Sequence, residues 1–279
     1  MIQAPSVPPP PASDLTLGMI AATVEIDQPQ PDGKRIVGTG FLVSYPTPDG
    51  SPRTVLVTAN HVFRDMPGET ARLGYRFQDA GKTWHFSAQP VAIRSGAAPL
   101  WTRHPDRDVA VMRIEAPPEF AKAAIPLSWL ADEDAFERDG VAPGDEMFVL
   151  GFPEGLAANR QGFPILRVGR VASYPLTPVR EFPNFLLDFR VSAGNSGGPV
   201  FMTHGLRRAS DAPPQEEPFV AGILTQQTSV GGEPLGLGVV IHAVFVREAV
   251  ALLDAPPIPI TPPPPVEQPS APAVTAPSR

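Results

Sequence analysis

The 279-residue sequence predicts an all-β fold of the sandwich or barrel kind. Short segments rich in β-branched and aromatic residues recur along the chain, and clusters of Gly, Pro, Asp and Asn separate them. Helical periodicity is scarce outside one C-terminal segment. This spacing is typical of β-sandwiches and β-barrels, and it does not fit alternating βαβ units.

Eight segments carry the strand pattern. In chain order, the predicted strands are residues 40–43, 53–58, 109–114, 146–150, 165–171, 185–191, 219–224 and 239–246. The last predicted element is a helix over about residues 242–253, in which apolar residues from Val246 to Leu253 repeat at intervals of three and four. The pair Pro256-Pro257 ends this helix because proline cannot continue it.

Proline marks both ends of the chain, at residues 1–13 and 255–279. Five of the first eleven residues are proline, and ten prolines lie between Pro256 and Pro277. Such segments cannot bury enough apolar area to offset their ordering entropy, and they favour extended polyproline II. We predict that both tails are disordered spacers, with docking to a proline-recognising domain as the alternative.

Composition excludes several classes of function. The net charge of −7 argues against nucleic acid or an anionic membrane as the main partner. The absence of cysteine removes disulfides, thiolate metal sites and a cysteine nucleophile. No histidine or carboxylate pair has zinc-protease or EF-hand spacing, so we predict no metal and no cofactor.

No apolar stretch approaches the ~20 residues that span a bilayer. Residues 1–13 lack a signal-peptide pattern, which leaves the compartment open between the cytoplasm and a mature exported form.

The most specific motif is residues 193–199, with the sequence AGNSGGP. A serine flanked by glycines needs a backbone that bends sharply and approaches another molecule closely, and glycine permits both. In such a bend the N–H groups of Gly194 and Ser196 can point to one spot and form an oxyanion hole beside the serine oxygen. Serine alone is a poor nucleophile, so this interpretation needs a base and an acid elsewhere.

The base candidate is His61, which lies in a polar turn after the predicted strand 53–58. The acid candidate is Asp108, at the start of the strand 109–114. Asp106 competes with it but lies further from the strand, so Asp108 is preferred. Each residue alone is a weak signal. The order histidine, aspartate, serine within one domain-sized stretch is a strong one.

With these residues in this order, the chain resembles the trypsin-like (chymotrypsin-fold) serine peptidases, and within them the bacterial HtrA/DegP-like branch. The resemblance covers roughly residues 15–253. The segments that carry it are residues 38–44, 58–63, 108–114, 149–153, 188–200, 222–225 and 238–241. It implies two antiparallel β-barrels, over residues 14–130 and 131–254, with the active site in the cleft between them and a C-terminal helix. The histidine and the aspartate would lie on the first barrel and the serine on the second.

Departures from the digestive enzymes favour the HtrA-like branch. The chain has no cysteines, and Asn195 stands where the digestive enzymes have an aspartate that pairs with a newly cut N-terminus. We therefore expect no activation by proteolysis of the trypsin kind. The PDZ domain usual in that branch is not expected, because only a proline-rich segment follows the last helix. The oligomeric state stays open.

The resemblance implies a serine endopeptidase that acts through an acyl-enzyme. His61 would be the general base and acid, Asp108 would orient it, and the N–H groups of Gly194 and Ser196 would bind the oxyanion. An extended polypeptide substrate would add as a strand along residues 222–226.

The implied substrate contacts are Arg190, Leu224, Thr225 and Gln226. Arg190, six residues before the serine, would stand at the base of the primary pocket, where a buried arginine prefers an acidic side chain. Strand alternation leaves open whether its side chain points into this pocket, so the prediction is only that specificity is not trypsin-like.

Two other functions compete with the peptidase. One is a protease-like module that binds extended peptides without cutting them. The other is an α/β-hydrolase esterase, since Gly194-x-Ser196-x-Gly198 also fits a nucleophile elbow, with Asp211 and His242 following in the required order. That motif needs a helix directly after the serine, whereas residues 200–202 indicate a strand. The remaining histidines are predicted to be surface or packing residues: His85, His104, His204 and His242.

Overall fold

The computed structural model of the protein describes residues 12–46, 52–203 and 219–254. These residues form two β-sheet units that follow one another along the chain, and a helix closes the second. The all-β class and the C-terminal helix predicted from the sequence are confirmed. The predicted tails lie outside the described residues, except that residues 12 and 13 begin the first helix.

The first unit contains an eight-stranded sheet, completed by a strand of the following connection, and a separate two-stranded sheet formed by residues 94–95 and 98–99. Its elements are α1 (Ala12–Ala22), β1 (Thr23–Pro29), β2 (Arg35–Pro46), β3 (Pro52–Thr58), α2 (Asn60–Arg64), β4 (Thr70–Gln78), β5 (Trp84–Ala92), β6 (Arg94–Ser95), β7 (Ala98–Pro99), β8 (Thr102–Arg103) and β9 (Ala110–Arg113). The connection to the second unit contains α3 (Pro118–Ala121), β10 (Ile125–Pro126), a 3-10 helix (Leu127–Trp129) and α4 (Ala135–Arg138). The strand order is β5-β4-β1-β2-β3-β9-β8, and β10 pairs in parallel with β2.

The second unit is a closed barrel of six strands. Its elements are β11 (Glu146–Gly151), a 3-10 helix (Pro153–Gly155), β12 (Ile165–Val171), β13 (Asn184–Asp188), β14 (Pro199–Met202), β15 (Phe219–Val230), β16 (Glu233–His242) and α5 (Ala243–Leu252). The strands close in the order β11-β12-β13-β16-β15-β14. The predicted strand 239–246 runs too far, because the helix already begins at Ala243.

Strands β2 and β3 are buried on both faces. Phe41 and Val57 belong to the larger core, which extends into the barrel, whereas Leu42 and Leu56 belong to the core of the first sheet. Successive side chains of a strand point to opposite faces, so the two cores share the same strands. The residues that follow β3 therefore lie where the two units meet.

Helix α1 was not predicted from the sequence. Its side chains Leu15 and Met19 are fully buried in the larger core. The buried guanidinium of Arg76 donates to carbonyl groups at the end of the helix, among them Ile20 and Ala21, at 2.9 Å each. Burial lowers the pKa of Arg76 to about 10. This cation satisfies carbonyl groups that a helix end leaves without partners.

No helix within the described residues is long and apolar enough to cross a bilayer.

Candidate active site

The serine loop between β13 and β14 is built from glycine. Gly194 has φ +90° and Gly197 has φ +86°, backbone conformations that residues other than glycine rarely adopt. A Cβ on Gly194 would lie 2.3 Å from the Phe152 carbonyl oxygen, and one on Gly197 would lie 2.1 Å from the Thr39 carbonyl oxygen. The loop therefore packs backbone against backbone, in contact with both units.

The orientation of the peptide bond before Gly194 is fixed by Glu154. The Ala193 carbonyl oxygen accepts a hydrogen bond from the Glu154 N–H at 2.6 Å. In a planar trans peptide the carbonyl and the N–H point in opposite directions, so the Gly194 N–H points away from Glu154. Within the described residues, no backbone acceptor binds the N–H of Gly194 or of Ser196. Both donors can therefore meet a bound anion.

Glu154 adopts a left-handed conformation, with φ 53°. This conformation is uncommon for a residue other than glycine and is found at turns and at functional sites. In this conformation the Glu154 N–H donates its hydrogen bond to the Ala193 carbonyl oxygen. The sequence gives no signal for this role, because a single glutamate after Pro153 has no distinctive pattern.

Thr39 is a site residue that the sequence reasoning missed. Its N–H donates to the Ser196 carbonyl at 2.8 Å, and its hydroxyl donates to the Gly194 carbonyl at 2.7 Å. The same hydroxyl accepts from the N–H of Phe152 at 3.1 Å. One threonine thus holds both sides of the serine loop. Thr39 belongs to residues 38–44, one of the segments that resemble trypsin-like peptidases, but that resemblance implied no role for it.

His61, on the helix α2, lies next to Asp108. The Asp108 Oδ1 accepts from the His61 N–H at 2.9 Å, and its Oδ2 binds His61 Nδ1 at 2.6 Å. Burial raises the pKa of the Asp108 carboxyl, but the hydrogen bonds and charge of His61 and the charge of Arg64 outweigh it, so the pKa lies below its ordinary value. The Asp106 side chain is exposed.

Gly197 of the serine loop contacts the segment that precedes His61. A Cβ on Gly197 would lie 2.9 Å from the Ala59 N, two residues before His61. The Ser196 hydroxyl donates to the Thr225 carbonyl at 2.8 Å. The histidine and the serine are therefore carried by segments in direct contact, one from each unit.

The predicted substrate contacts divide into two kinds. Leu224 and Thr225 are buried, and Leu224 exchanges backbone hydrogen bonds with the serine loop, accepting from Gly197 at 2.7 Å and donating to Gly198 at 2.9 Å. Gln226 and Arg190 are exposed.

Part of the predicted binding strand, residues 222–226, is already paired within the barrel. Gly222 and Ile223 already pair with both neighbouring strands of the barrel. A substrate strand can therefore pair only from Thr225 onward.

Arg190 lies beside a second arginine. Its carbonyl oxygen accepts from Arg167 Nη1 at 2.7 Å, and the Arg167 guanidinium lies 4.4 Å from the centroid of the Phe189 ring. Among the described residues, no carboxylate pairs with either cation.

The nucleophile elbow of an α/β-hydrolase does not match this geometry. The strand β14, and no helix, follows the serine at Pro199. His242 is buried between the rings of Phe136 and Phe185, at centroid distances of 4.4 and 5.0 Å. Asp211 lies outside the described residues. Within the residues described, no cluster of His, Asp and Glu could hold a metal ion.

A family model for the trypsin-like peptidase domain matches residues 38–206. The chain belongs to the trypsin-like peptidase family. Among solved structures, the fold is similar to that of the thermostable serine protease AL20 from an extremophilic microorganism, with a TM-score of 0.50 and 12% identity. That match covers 85% of this chain and 98% of the other. No curated protein matches the sequence significantly. The family match includes the segments of this trypsin-like peptidase that carry His61, Asp108 and Ser196.

Proposed function

We propose that the protein is a serine endopeptidase that uses His61, Asp108 and Ser196. The observation that carries the proposal is the pair of hydrogen bonds, at 2.9 and 2.6 Å, by which Asp108 holds both the backbone and the ring of His61. The contact of Gly197 with Ala59, two residues before His61, supports the inclusion of Ser196. A carboxylate on Nδ1 leaves Nε2 of the same ring as the proton acceptor.

Catalysis would proceed in two halves. The Ser196 hydroxyl turns from the Thr225 carbonyl towards His61, which takes its proton as the oxygen attacks the peptide carbonyl carbon. The C–N bond then breaks, and His61 returns the proton to the leaving amine. In the second half a water gives its proton to His61 and attacks the acyl-enzyme, which releases the new carboxylate and restores the Ser196 hydroxyl.

The oxyanion would be stabilised by the N–H groups of Gly194 and Ser196. The bond from Glu154 to the Ala193 carbonyl supports this role, since it turns the Gly194 N–H away from Glu154 before substrate binds. Donors that are oriented in advance need no reorganisation during the reaction, and each contributes about 3–4 kcal/mol to such a transition state.

The substrate would be an extended polypeptide. Backbone groups from Thr225 onward would pair with it, Gln226 would border it, and the buried Leu224 would support this edge. Arg190, with Arg167 beside it, would disfavour basic side chains near the cleaved bond. We keep the HtrA/DegP-like branch as part of the proposal on the grounds of Asn195 and the missing cysteines. The division into residues 14–130 and 131–254 is likewise proposed.

A fluorophosphonate probe and a peptide substrate test the proposal together. We expect the probe to label Ser196 and the protein to cleave an unstructured polypeptide, with Ser196→Ala abolishing both. Ser95→Ala, an exposed serine on β6, is the matched control and should keep full activity. Folded wild-type protein that binds peptides but takes no label would instead be a peptide-binding module. Labelling without peptide cleavage would indicate an esterase.

A further inference from the structure

The loop that carries Asp108 is closed by a buried histidine. The His104 N–H donates to the Val109 carbonyl at 2.9 Å, directly beyond the paired residues Arg103 and Ala110 of β8 and β9. Asp108 lies in the turn that this bond closes. The His104 side chain is only 6% exposed. Its position therefore sets the base of the loop.

Both ring nitrogens of His104 are used. The Asp106 N–H donates to Nδ1 at 3.2 Å, and Nε2 lies 2.9 Å from a carboxylate oxygen of Glu248 on α5. Nδ1 must be unprotonated to accept and Nε2 must carry the proton to donate, so these contacts assign a single neutral tautomer. The ring thus joins the loop to the C-terminal helix.

Glu248 is held from its other side by Arg180. The second carboxylate oxygen of Glu248 lies 2.6 Å from Arg180 Nη1, and Nε and Nη2 of the same arginine bind the two oxygens of Glu133 at 3.0 Å each. Burial raises the pKa of Glu248, but its bonds to His104 and Arg180 outweigh this and hold the pKa below its ordinary value. Arg180 thus bridges the carboxylates of Glu133 and Glu248, and Glu248 faces the Asp108 loop.

Phe245 of α5 restricts the same loop. Its ring meets the His104 ring edge-on at 5.5 Å between centroids, and the Arg107 guanidinium lies 5.1 Å from the centroid of the Phe245 ring. Phe245 thus contacts two residues of this loop, His104 and Arg107, and Arg107 directly precedes Asp108. A shift of this loop would misalign the two Asp108 oxygens, which bind His61 at different atoms.

We propose that His104 is a positioning residue for Asp108, fixed by Glu248 of α5 so that both Asp108 oxygens align on His61. This rests on the proposed triad. His104 touches neither His61 nor Ser196 through any hydrogen bond of the described structure, so its effect is on alignment. Small displacements of reacting groups reduce turnover by up to about 100-fold.

The test compares two histidines that each bind a carboxylate. His104→Asn shortens the side chain and loses Glu248. His85→Asn, the control, loses the exposed bond from His85 Nε2 to Asp79, 2.8 Å long. We expect His104→Asn to lower kcat about 10- to 100-fold with little change in KM, since substrate binding is not involved. Glu248→Ala should do the same, and Glu248→Gln, which keeps an acceptor for Nε2, should restore most of kcat.

Proton NMR gives a second readout that does not need activity. We expect the His61 Nδ1 proton, in its 2.6 Å bond to Asp108, to resonate far downfield, and to shift or broaden in His104→Asn but not in His85→Asn. Should His104→Asn not fold, Glu248→Ala carries the same measurements.

The outcomes separate this proposal from the proposed function. If wild type cleaves peptides, Ser196→Ala does not, and the His104 and Glu248 variants match His85→Asn, only the positioning role is wrong. A fall in kcat with an unmoved His61 resonance also overturns it. If wild type cleaves nothing, the proposed function fails, and the resonance alone decides whether His104 aligns Asp108.

Discussion

The two halves of the site are held in different ways. His61 and Asp108 are fixed by side-chain hydrogen bonds, with a carboxylate that binds one residue at two points. The loop of Ser196 is fixed by backbone contacts, because Gly194 and Gly197 admit carbonyl groups to within a distance that a Cβ would forbid. The half with His61 and Asp108 is held by side-chain hydrogen bonds. The serine loop is held by close backbone contacts, which glycine permits because it has no side chain.

This difference predicts two kinds of failure. A substitution in the histidine and aspartate half should leave the fold intact and remove turnover. A substitution in the serine loop should disturb the fold and the activity together. The predictions below separate these outcomes, from the largest expected effect to the smallest.

The largest effect is expected for Asp108→Asn. An amide at this position favours the wrong histidine tautomer and cannot stabilise the imidazolium, so kcat should fall about 10⁴-fold while the unfolding midpoint stays close to that of wild type. Asp106→Asn is the control, because only the backbone of Asp106 contacts His104 and its side chain is exposed. Steady-state kinetics on both variants would show the acid to be wrongly assigned if Asp106→Asn proved the more damaging.

Gly197→Ala should affect the fold itself. The added Cβ would meet the Thr39 carbonyl at 2.1 Å at a position with φ +86°, so we expect a loss of about 3 kcal/mol or more in the free energy of unfolding. Gly231→Ala also has a positive φ, +59°, but nothing lies within 4 Å of its Cβ. Urea denaturation of both variants separates the clash from the backbone strain, and equal losses would contradict a close-packed loop.

Acid should destabilise the second unit through His242, which, unlike His61, has no carboxylate beside it. Neither ring nitrogen of His242 has a hydrogen-bond partner among the described residues, and burial lowers its pKa to about 4, although the nearby Phe182 backbone opposes this. In the unfolded chain, His242 becomes protonated near pH 6.5, whereas in the folded protein it stays neutral down to about pH 4. The free energy of unfolding is therefore unaffected by this histidine above pH 6.5 and decreases by about 2–3 kcal/mol as the pH falls towards 4.

His242→Phe should remove that dependence. Denaturation of wild type and variant at pH 7 and pH 5 should show a smaller loss for the variant, with every other acidic group common to both. An identical loss in the two proteins would assign the acid sensitivity to other groups.

The smallest effect is expected for Thr39→Val, which removes one hydroxyl between Gly194 and Phe152 but keeps the N–H bond to Ser196. Two buried backbone groups lose a partner, so we expect a loss of about 1–3 kcal/mol in stability together with a lower kcat. Thr228→Val, on the half-buried part of β15, is the control. An unchanged kcat in Thr39→Val would show that the backbone contacts alone hold the loop.

Much of the fold could be predicted from local patterns of β-branched, aromatic and apolar residues. The strand 165–171 has the predicted bounds, and α5 differs from the predicted helix by one residue at each end. Strand β1 escaped prediction because its buried residues include Glu25 and Asp27, whose charges are matched by Arg35. A polar strand of this kind is defined by partners distant in sequence, which no local pattern reports.

The site shows the same limit. His61, Asp108 and Ser196 could be singled out because their residue types and order are distinctive, and their joint role stays a prediction. Glu154 could not, since it acts through a backbone N–H that every residue has. Thr39 could not, since the partners of its hydroxyl, Gly194 and Phe152, are more than 100 residues away in sequence. His104 was predicted to be a surface or packing residue, and its burial against Phe245 fits the packing alternative. Its bond to Glu248 spans 144 residues, which no sequence pattern could show.

Helix α5 also has a consequence for the order in which the protein is made. Every strand of the described structure leaves the ribosome before this helix, yet Glu248 of the helix touches the loop of Asp108, synthesised far earlier. A nascent chain can therefore complete its β-sheets before the bond between His104 and Glu248 can form. The docking of its last helix is then the step that joins this loop of the first unit to the end of the second.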